Sequence, residues 1–398
     1  MSELVERVRR RLAGEGITRP SDLDEIVRAE SGGIVDDAVL AALRREVAAE
    51  LTGAGPLEPL LAMRGVTDVL VNAPDAVWFD RGHGMERAPA RFADDAAVRR
   101  LAQRLAAAAG RRLDDAAPFV DAALPDGSRL HAVLPPLTAR TTISLRVLAR
   151  ERHDLDDLVR LGTMPAVIAE VLRAVVASRL AFVLSGGTGT GKTTLLGALL
   201  GLAPGGERLV VIEDAAELVI THPHVVRLVT RAANVEGAGA IGLRELVRQA
   251  LRMRPDRLVV GEFRGAEMVE LIVALNTGHD GGCATLHANS AADVPARLQA
   301  LGGLGGLAAP AVASLVSSAV EVVVHLRRAG DGRRVLDEIG LLRRTGVDLR
   351  VDPVWTARGG PDAAGRELAR LFAERSVDVP AVLSGANPVL CAAPQQSR

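Results

Sequence analysis

Two kinds of hydrophobic pattern divide the chain. Between residues 54 and 150, apolar and polar positions alternate in short runs at 66–71, 76–79, 119–124, 129–134 and 141–148, with helical spacing at 93–109. Period-two alternation predicts half-buried strands. In the last run Ile143, Leu145 and Val147 share one face while Ser144 and Arg146 take the other; Arg129 and His131 share a polar face in the same way. A small α+β domain is expected here. From Pro165 the pattern changes. Short, mostly apolar runs at 180–184, 208–212, 225–229, 257–260 and 283–286 alternate with helical segments at 243–253, 266–275, 291–301 and 309–318, and two more strands are predicted at 320–326 and 335–342. Strands alternating with helices predict an α/β domain, its sheet mostly parallel and its ligand at the strands' carboxyl ends.

The flanks are weaker. Residues 1–52 read as short helices broken by Gly14, Gly16, Pro20 and Gly32-Gly33. The charged, turn-rich segment 151–157 is expected to be a hinge. From Thr345 onwards Pro, Gly, Arg and Ala with weak periodicity predict a loosely structured tail. The expected domains are therefore 1–52, 53–150, 151–344 and 345–398.

Composition narrows the function classes. With 48% hydrophobic residues, 2% aromatic and no Tyr, the cores must be built from Ala, Leu and Val. A net charge of −1 gives no whole-chain reason to bind nucleic acid or an acidic membrane. Cys283 and Cys391 are too few for a disulfide framework, which suits a reducing cytoplasm. The start, MSELVERVRRRLAGEG, is charged and carries no signal-peptide pattern. The uncharged stretch 301–320 contains four glycines, Pro310 and three serines, which predicts a buried helix pair with a Gly-rich connection, not a membrane span. A soluble protein with at most peripheral membrane contact is expected.

The candidate chemistry starts at Gly186-Gly187-Thr188-Gly189-Thr190-Gly191-Lys192-Thr193, which matches G-x-x-x-x-G-K-[ST] in full between a predicted strand and an Ala/Leu-rich helical segment. Glycines let successive N–H groups turn toward one phosphate, and the helix N-terminus adds partial positive charge. Lys192 can then reach the β/γ-phosphates of a nucleotide, and the Thr193 hydroxyl can bind Mg²⁺. Lys192 is the only lysine; the other 47 basic side chains are arginine. A compact, rotatable ammonium is kept where a broad guanidinium fork would not fit.

Three polar clusters follow predicted strands: Glu213-Asp214 with Glu217, then Glu262, then His279-Asp280 through His287-Ala288-Asn289. A nucleotide triphosphatase needs carboxylates near Mg²⁺ and near the attacking water. Gly261 stands where many P-loop enzymes carry the Mg²⁺ aspartate, so Glu262 is the only carboxylate at that strand end, and the metal shell falls to Asp214 or Glu213. His279 and His287 have no third ligand nearby for a metal. His287, at the tip of the strand beside the P-loop strand, suits phosphate sensing; His279 is equally a hydrogen-bonded core residue.

GGTGTGKTT (Gly186 to Thr194), VVIEDAAEL, LRMRPDRLVVGEFRG and NTGHDGGCATLHANS resemble the ordered motifs of the type II/type IV secretion ATPase superfamily. Upstream, GPLEPLL, VTDVLVN, GRRLDDAAPFVDAALPDGSRLHAVLPPL and TISLRV are similar to its tight-adherence pilus (TadA/CpaF-type) branch, and the resemblance spans roughly residues 50 to 342. It implies a PAS-like N-terminal domain joined to a RecA-like P-loop NTPase domain, with ATP and Mg²⁺ between them. It implies a hexameric ring on the inner face of the cytoplasmic membrane, working with the membrane platform proteins of a pilus or secretion system. By the same resemblance Gly186 to Thr194 hold the nucleotide, with Lys192 and Thr193 on phosphate and Mg²⁺. Glu213 and Asp214 form the acidic box, Glu262 is the catalytic glutamate and His287 senses the γ-phosphate. Arg129 and Arg146 reach the nucleotide from the N-terminal domain.

Two other functions fit these motifs. A conjugative DNA-transfer motor is one, although near-neutral charge and sparse aromatics offer neither basic stripe nor stacking platform, so no direct nucleic-acid contact is expected. A nucleotide-gated scaffold with little hydrolysis is the other, and Lys192, Glu213 and Glu262 argue against it.

Overall fold

The computed structural model describes residues 53–384, apart from 83, 148–151, 232 and 234–237. The segment 1–52 and residues 385–398 of the expected tail lie outside the described residues. The chain divides into two compact units, residues 1–149 and 150–398.

The first unit contains β1 (Asp68–Ala73), β2 (Ala76–Asp80), β3 (Met85–Arg87), α1 (Asp95–Ala108), β4 (Phe119–Ala123), β5 (Arg129–Val133) and β6 (Thr142–Arg146). Its strands form an antiparallel sheet in the order β3-β2-β1-β6-β5-β4. Alternation sorts the faces as the sequence predicts. Val69, Val71, Leu130, Ala132, Ile143 and Leu145 are buried in one core with Val98, Leu101 and Leu105 of α1. Asp94 caps α1 by accepting the Ala97 N–H at 2.7 Å, a contact worth about 1 kcal/mol.

The second unit runs α2 (Leu155–Arg160), α3 (Ala166–Ala177), β7 (Phe182–Ser185), α4 (Lys192–Leu200), β8 (Leu209–Glu213), β9 (Val225–Val229), α5 (Leu243–Ala250) and β10 (Arg257–Val260). It continues α6 (Glu267–Leu275), β11 (Cys283–Leu286), α7 (Val294–Leu304), α8 (Ala309–Ala319), β12 (Val322–Arg328), β13 (Arg334–Thr345), β14 (Asp348–Thr356), β15 (Gly360–Pro361) and α9 (Gly365–Glu374). The nine strands are ordered β15-β14-β13-β12-β7-β11-β10-β8-β9, parallel from β9 to β12 and antiparallel beyond.

Every residue of β7, β8, β10 and β11 is buried, as a parallel sheet covered on both faces requires. Leu209 and Val211 of β8 face a core that includes Leu172 of α3 and Leu195 of α4. Val210 and Ile212 face the opposite core, with Val247, Ile272 and Leu298. The order matters for function. β7 has β11 on one side and β12 on the other, and β10 lies beyond β11.

Two segments differ from expectation. The hinge segment contains α2, whose start carries a reciprocal capping box between Asp154 and Asp157; the charges that read as a turn are a helix cap. The expected loose tail is ordered through β14, β15 and α9. Pro353 argues against a strand, yet it sits opposite Gly340 where the β13–β14 register shifts, a position that tolerates proline. In α9, Leu368 and Phe372 are fully buried against the sheet, one turn apart on one face. As expected, the uncharged stretch holds the end of α7, a Gly-rich connection and α8; the segment Ala291–Leu304 and α8 are bent by 118° relative to one another. No single helix among the described residues is long and apolar enough to cross a membrane.

Candidate active site

β7 ends at Ser185, the loop follows, and α4 begins at Lys192. Gly186, Gly189 and Gly191 adopt φ of 151°, 71° and 95°, which side-chain-bearing residues rarely tolerate. Gly186 also lacks room: a Cβ there would approach the Leu326 carbonyl oxygen to 2.3 Å. Gly191 opens α4 without a side-chain cap, so the helix's first amides are left for an external acceptor. Gly187, Thr188 and Gly189 are exposed, Thr190 is buried, and Thr193 and Thr194 are half-buried in the first turn. The Thr190 hydroxyl donates to the Gly187 carbonyl at 2.9 Å.

The Lys192 side chain is buried, and its Nζ donates to the carbonyls of Gly186 at 2.9 Å and Gly187 at 2.8 Å. Burial lowers its pKa, with the Glu262 carboxylate acting the other way. His287 lies at the end of β11, beside β7. Its Nδ1 is 3.5 Å from Lys192 Nζ, and its Nε2 is 2.9 Å from Glu262 Oε1. An ammonium offers only donors. His287 must therefore accept at Nδ1 and donate from Nε2. Burial and the Lys192 charge keep the imidazole below its usual pKa, against the pull of Glu262. The neutral, Nε2-protonated ring is the species that fits.

Glu262 follows β10 and takes a second set of donors. Arg264 Nε and Nη2 reach its Oε2 at 3.0 and 2.8 Å. Arg264 Nη1 lies 3.5 Å from Asp214 Oδ2, after β8. A continuous polar chain therefore runs Lys192–His287–Glu262–Arg264–Asp214 across the ends of β7, β11, β10 and β8.

Glu213 departs from its expected place in this chain. Its carboxylate is 4% exposed. Oε1 accepts the amides of Glu217 at 3.0 Å and Leu218 at 2.8 Å, and Oε2 accepts Arg227 at 3.2 Å. Burial raises its pKa. With both oxygens engaged by these donors, it holds the 214–218 loop. Asp214 keeps the more accessible carboxylate, contacted by Arg264 and by Thr230 Oγ1 at 3.5 Å. His279, left open by the sequence, has a buried Nδ1 and stands apart from the chain.

The residues suit a magnesium triphosphate. The uncapped amides, the glycine turns and the buried ammonium all serve a polyanion. Among the described residues no three His, Cys, Asp or Glu side chains converge as a metal cage. Mg²⁺ does not need one, because it keeps waters and phosphate oxygens and takes one or two protein ligands; the Thr193 hydroxyl and the Asp214 carboxylate are those available.

In the first unit, Arg129 and Arg146 stand directly opposite each other on β5 and β6. Like charges in that position repel. Arg146 Nε pairs with Asp68 at 3.2 Å. Asp126 shapes the turn before Arg129 by accepting the amide and hydroxyl of Ser128, both at 2.9 Å.

Three nearby residues were not anticipated. Arg264 sits two residues after Glu262, in the same polar loop. His325 interrupts the apolar run of β12, and that interruption was the available signal. Buried at 3% exposure, it meets Ser185 Oγ through Nδ1 at 2.9 Å and hydrogen-bonds the Asn289 backbone. It therefore ties the start of the P-loop to the loop that carries His287. Arg334 lies against the P-loop from β13.

Residues 50–367 match the family described as Type II/IV secretion system protein. A putative conjugal transfer protein of Mycobacterium tuberculosis is 56% identical over 348 residues, 86% of this chain and 99% of that protein. The probable conjugal transfer protein TrbB of Sinorhizobium fredii is 34% identical over 284 residues, 70% of this chain and 84% of that one. The X-ray structure of the Legionella pneumophila ATPase DotB superposes with a TM-score of 0.50 at 17% identity, covering 83% of this chain and 84% of that one, a likeness of fold.

Proposed function

Because the chain belongs to the type II/IV secretion system protein family, we propose that it is an ATP-hydrolysing motor that powers assembly of a tight-adherence-type pilus or a related secretion apparatus. The observation that carries this is the contact of His287 with both Lys192 and Glu262, which gathers a phosphate-binding cation, a polar sensor and a candidate base at adjacent strand ends.

ATP binds with its phosphates against the amides of Gly187 to Thr193. Lys192 exchanges its loop carbonyls for phosphate oxygens. Thr193 and Asp214 would hold Mg²⁺, which would supply charge neutralisation on the triphosphate. Glu262 orients the attacking water. Oε1 retains a second lone pair beside the His287 contact; it takes the water's proton as the water oxygen bonds the γ-phosphorus and the bond from that phosphorus to the β,γ-bridging oxygen breaks, releasing ADP. His287, donating from Nε2, registers whether the γ-phosphate is present. Arg129 and Arg146 are the arginines assigned to neutralise charge on the γ-phosphate during transfer. The working form is a homohexamer docked on membrane platform proteins at the cytoplasmic face.

Glu262→Gln tests the assignment. It should retain ATP binding and lose turnover by 10²-fold or more; wild-type turnover would remove Glu262 from its role.

The conjugal-transfer relatives favour one alternative, a motor for conjugative DNA transfer. Stimulation of ATPase by single-stranded DNA, lost steeply with salt, would select it.

A further inference from the structure

The hairpin of β12 and β13 flanks the P-loop from first glycine to last. β12 runs parallel to β7, with His325 beside Ser185, and the Leu326 carbonyl closes on Gly186. Arg334, the first residue of β13, donates from Nε to the Gly189 carbonyl at 3.1 Å. A Cβ on Gly191 would come 3.3 Å from Arg334 Cδ, so the aliphatic stem lies against that glycine. The neighbouring arginines are used otherwise: Arg327 pairs with Asp337 and Arg333 with Asp331. Among the described residues Arg334 makes no ion pair. Its cation is turned to the loop.

The consequence follows from peptide geometry. In a trans peptide the carbonyl and the following N–H point in opposite directions. Drawing the Gly189 oxygen toward Arg334 turns the Thr190 N–H away from it. Lys192 restrains the first half of the loop through Gly186 and Gly187; Arg334 restrains the second half, where no other side chain among the described residues bonds Gly189. Gly189, on the carbonyl side, is conformationally free, which makes that peptide costly to fix.

We propose that Arg334 is a positioning residue for the P-loop: it sets the Gly189–Thr190 peptide so that the Thr190 N–H is presented to a nucleotide's phosphates, making nucleotide affinity depend on the β12–β13 hairpin. This rests on the P-loop being a phosphate site.

The test measures Mg-ADP and Mg-ATP affinity and steady-state ATPase for the full chain and for Arg334→Ala, Arg334→Lys and Arg333→Ala. Arg334→Ala should weaken ADP binding about tenfold, the size of one charge-assisted hydrogen bond, with turnover at saturating ATP nearly unchanged. Arg334→Lys should recover much of the affinity, because an ammonium on a similar stem reaches the same carbonyl. Arg333→Ala should bind as wild type. Unchanged affinity in Arg334→Ala overturns the proposal, as does a lysine variant no better than alanine. If the alanine variant does not fold, the ratio of lysine variant to wild type decides, with a loss above tenfold counting against it. A wild-type chain that binds neither nucleotide overturns the phosphate site itself, whereas wild-type binding with an indifferent Arg334 overturns only its role.

Discussion

Glu213 packs against Gly261: a Cβ on that glycine would lie 3.0 Å from Glu213 Cγ. The strand-end glycine is thus the space into which the neighbouring strand's glutamate folds. Two acids on adjacent strands therefore divide their work, Glu213 holding a loop and Glu262 facing the P-loop chain. Glu213→Ala should cost about 2–3 kcal/mol of stability by leaving two amides and Arg227 without their acceptor. Glu262→Gln should change stability by less than about 0.5 kcal/mol. Denaturant unfolding of the two variants checks the contrast, and equal losses would contradict it.

Lys192→Arg should weaken nucleotide binding strongly although charge is kept. The Nζ fits between two carbonyls and an imidazole, in a buried site that a planar fork cannot enter. A loss of about a hundredfold in affinity is expected, equal to about 2.7 kcal/mol. Calorimetric titration with Mg-ADP measures it; near-wild-type binding would mean that the ammonium's shape is irrelevant.

His287 makes stability depend on pH. Its folded pKa lies below the usual value of about 6.5. Below that pH the unfolded chain binds more protons than the folded one, so stability falls as pH drops through about 6.5 and the loss levels off below the folded pKa. His325, lowered chiefly by burial, acts with the same sign. His287→Gln should flatten the decline between about pH 7.5 and about pH 5.5 without removing it. Parallel urea midpoints for both proteins across that window would exclude His287 as a source.

Arg129 and Arg146 oppose each other across two strands, and like charges in that position repel. Arg129→Ala should leave stability within about 0.5 kcal/mol of wild type. Each alanine variant should nonetheless lower turnover, by up to about 10³-fold if the guanidinium meets the γ-phosphate. Full turnover in the double variant would confine both arginines to the sheet.

Phe372 is fully buried against the large sheet from α9. Phe372→Ala should cost about 3–5 kcal/mol. A chain ending at residue 344 should fail to fold, because it uncovers the same core. Cooperative unfolding of that truncated chain would restore the picture of a loosely structured tail.

The sequence by itself determined whatever depends on near neighbours. Glycine spacing and one lysine specified the P-loop, period-two alternation specified the first sheet, and unbroken apolar runs specified the buried parallel strands. Each is a property of a few consecutive residues meeting water or a core. The segment beyond Thr345 was not among them: it read as a loose tail, although Leu368 and Phe372 stand one turn apart in α9 and the proline of β14 sits where the pairing with β13 shifts. The tertiary structure alone decided what the crossovers bring together. Strand order set β11 between β7 and β10, which placed His287 between Lys192 and Glu262, ninety-five and twenty-five residues away along the chain. The same order sent Glu213 into its own loop and laid Arg334 on Gly189. Such contacts depend on which edges of a sheet become neighbours, and no local pattern carries that.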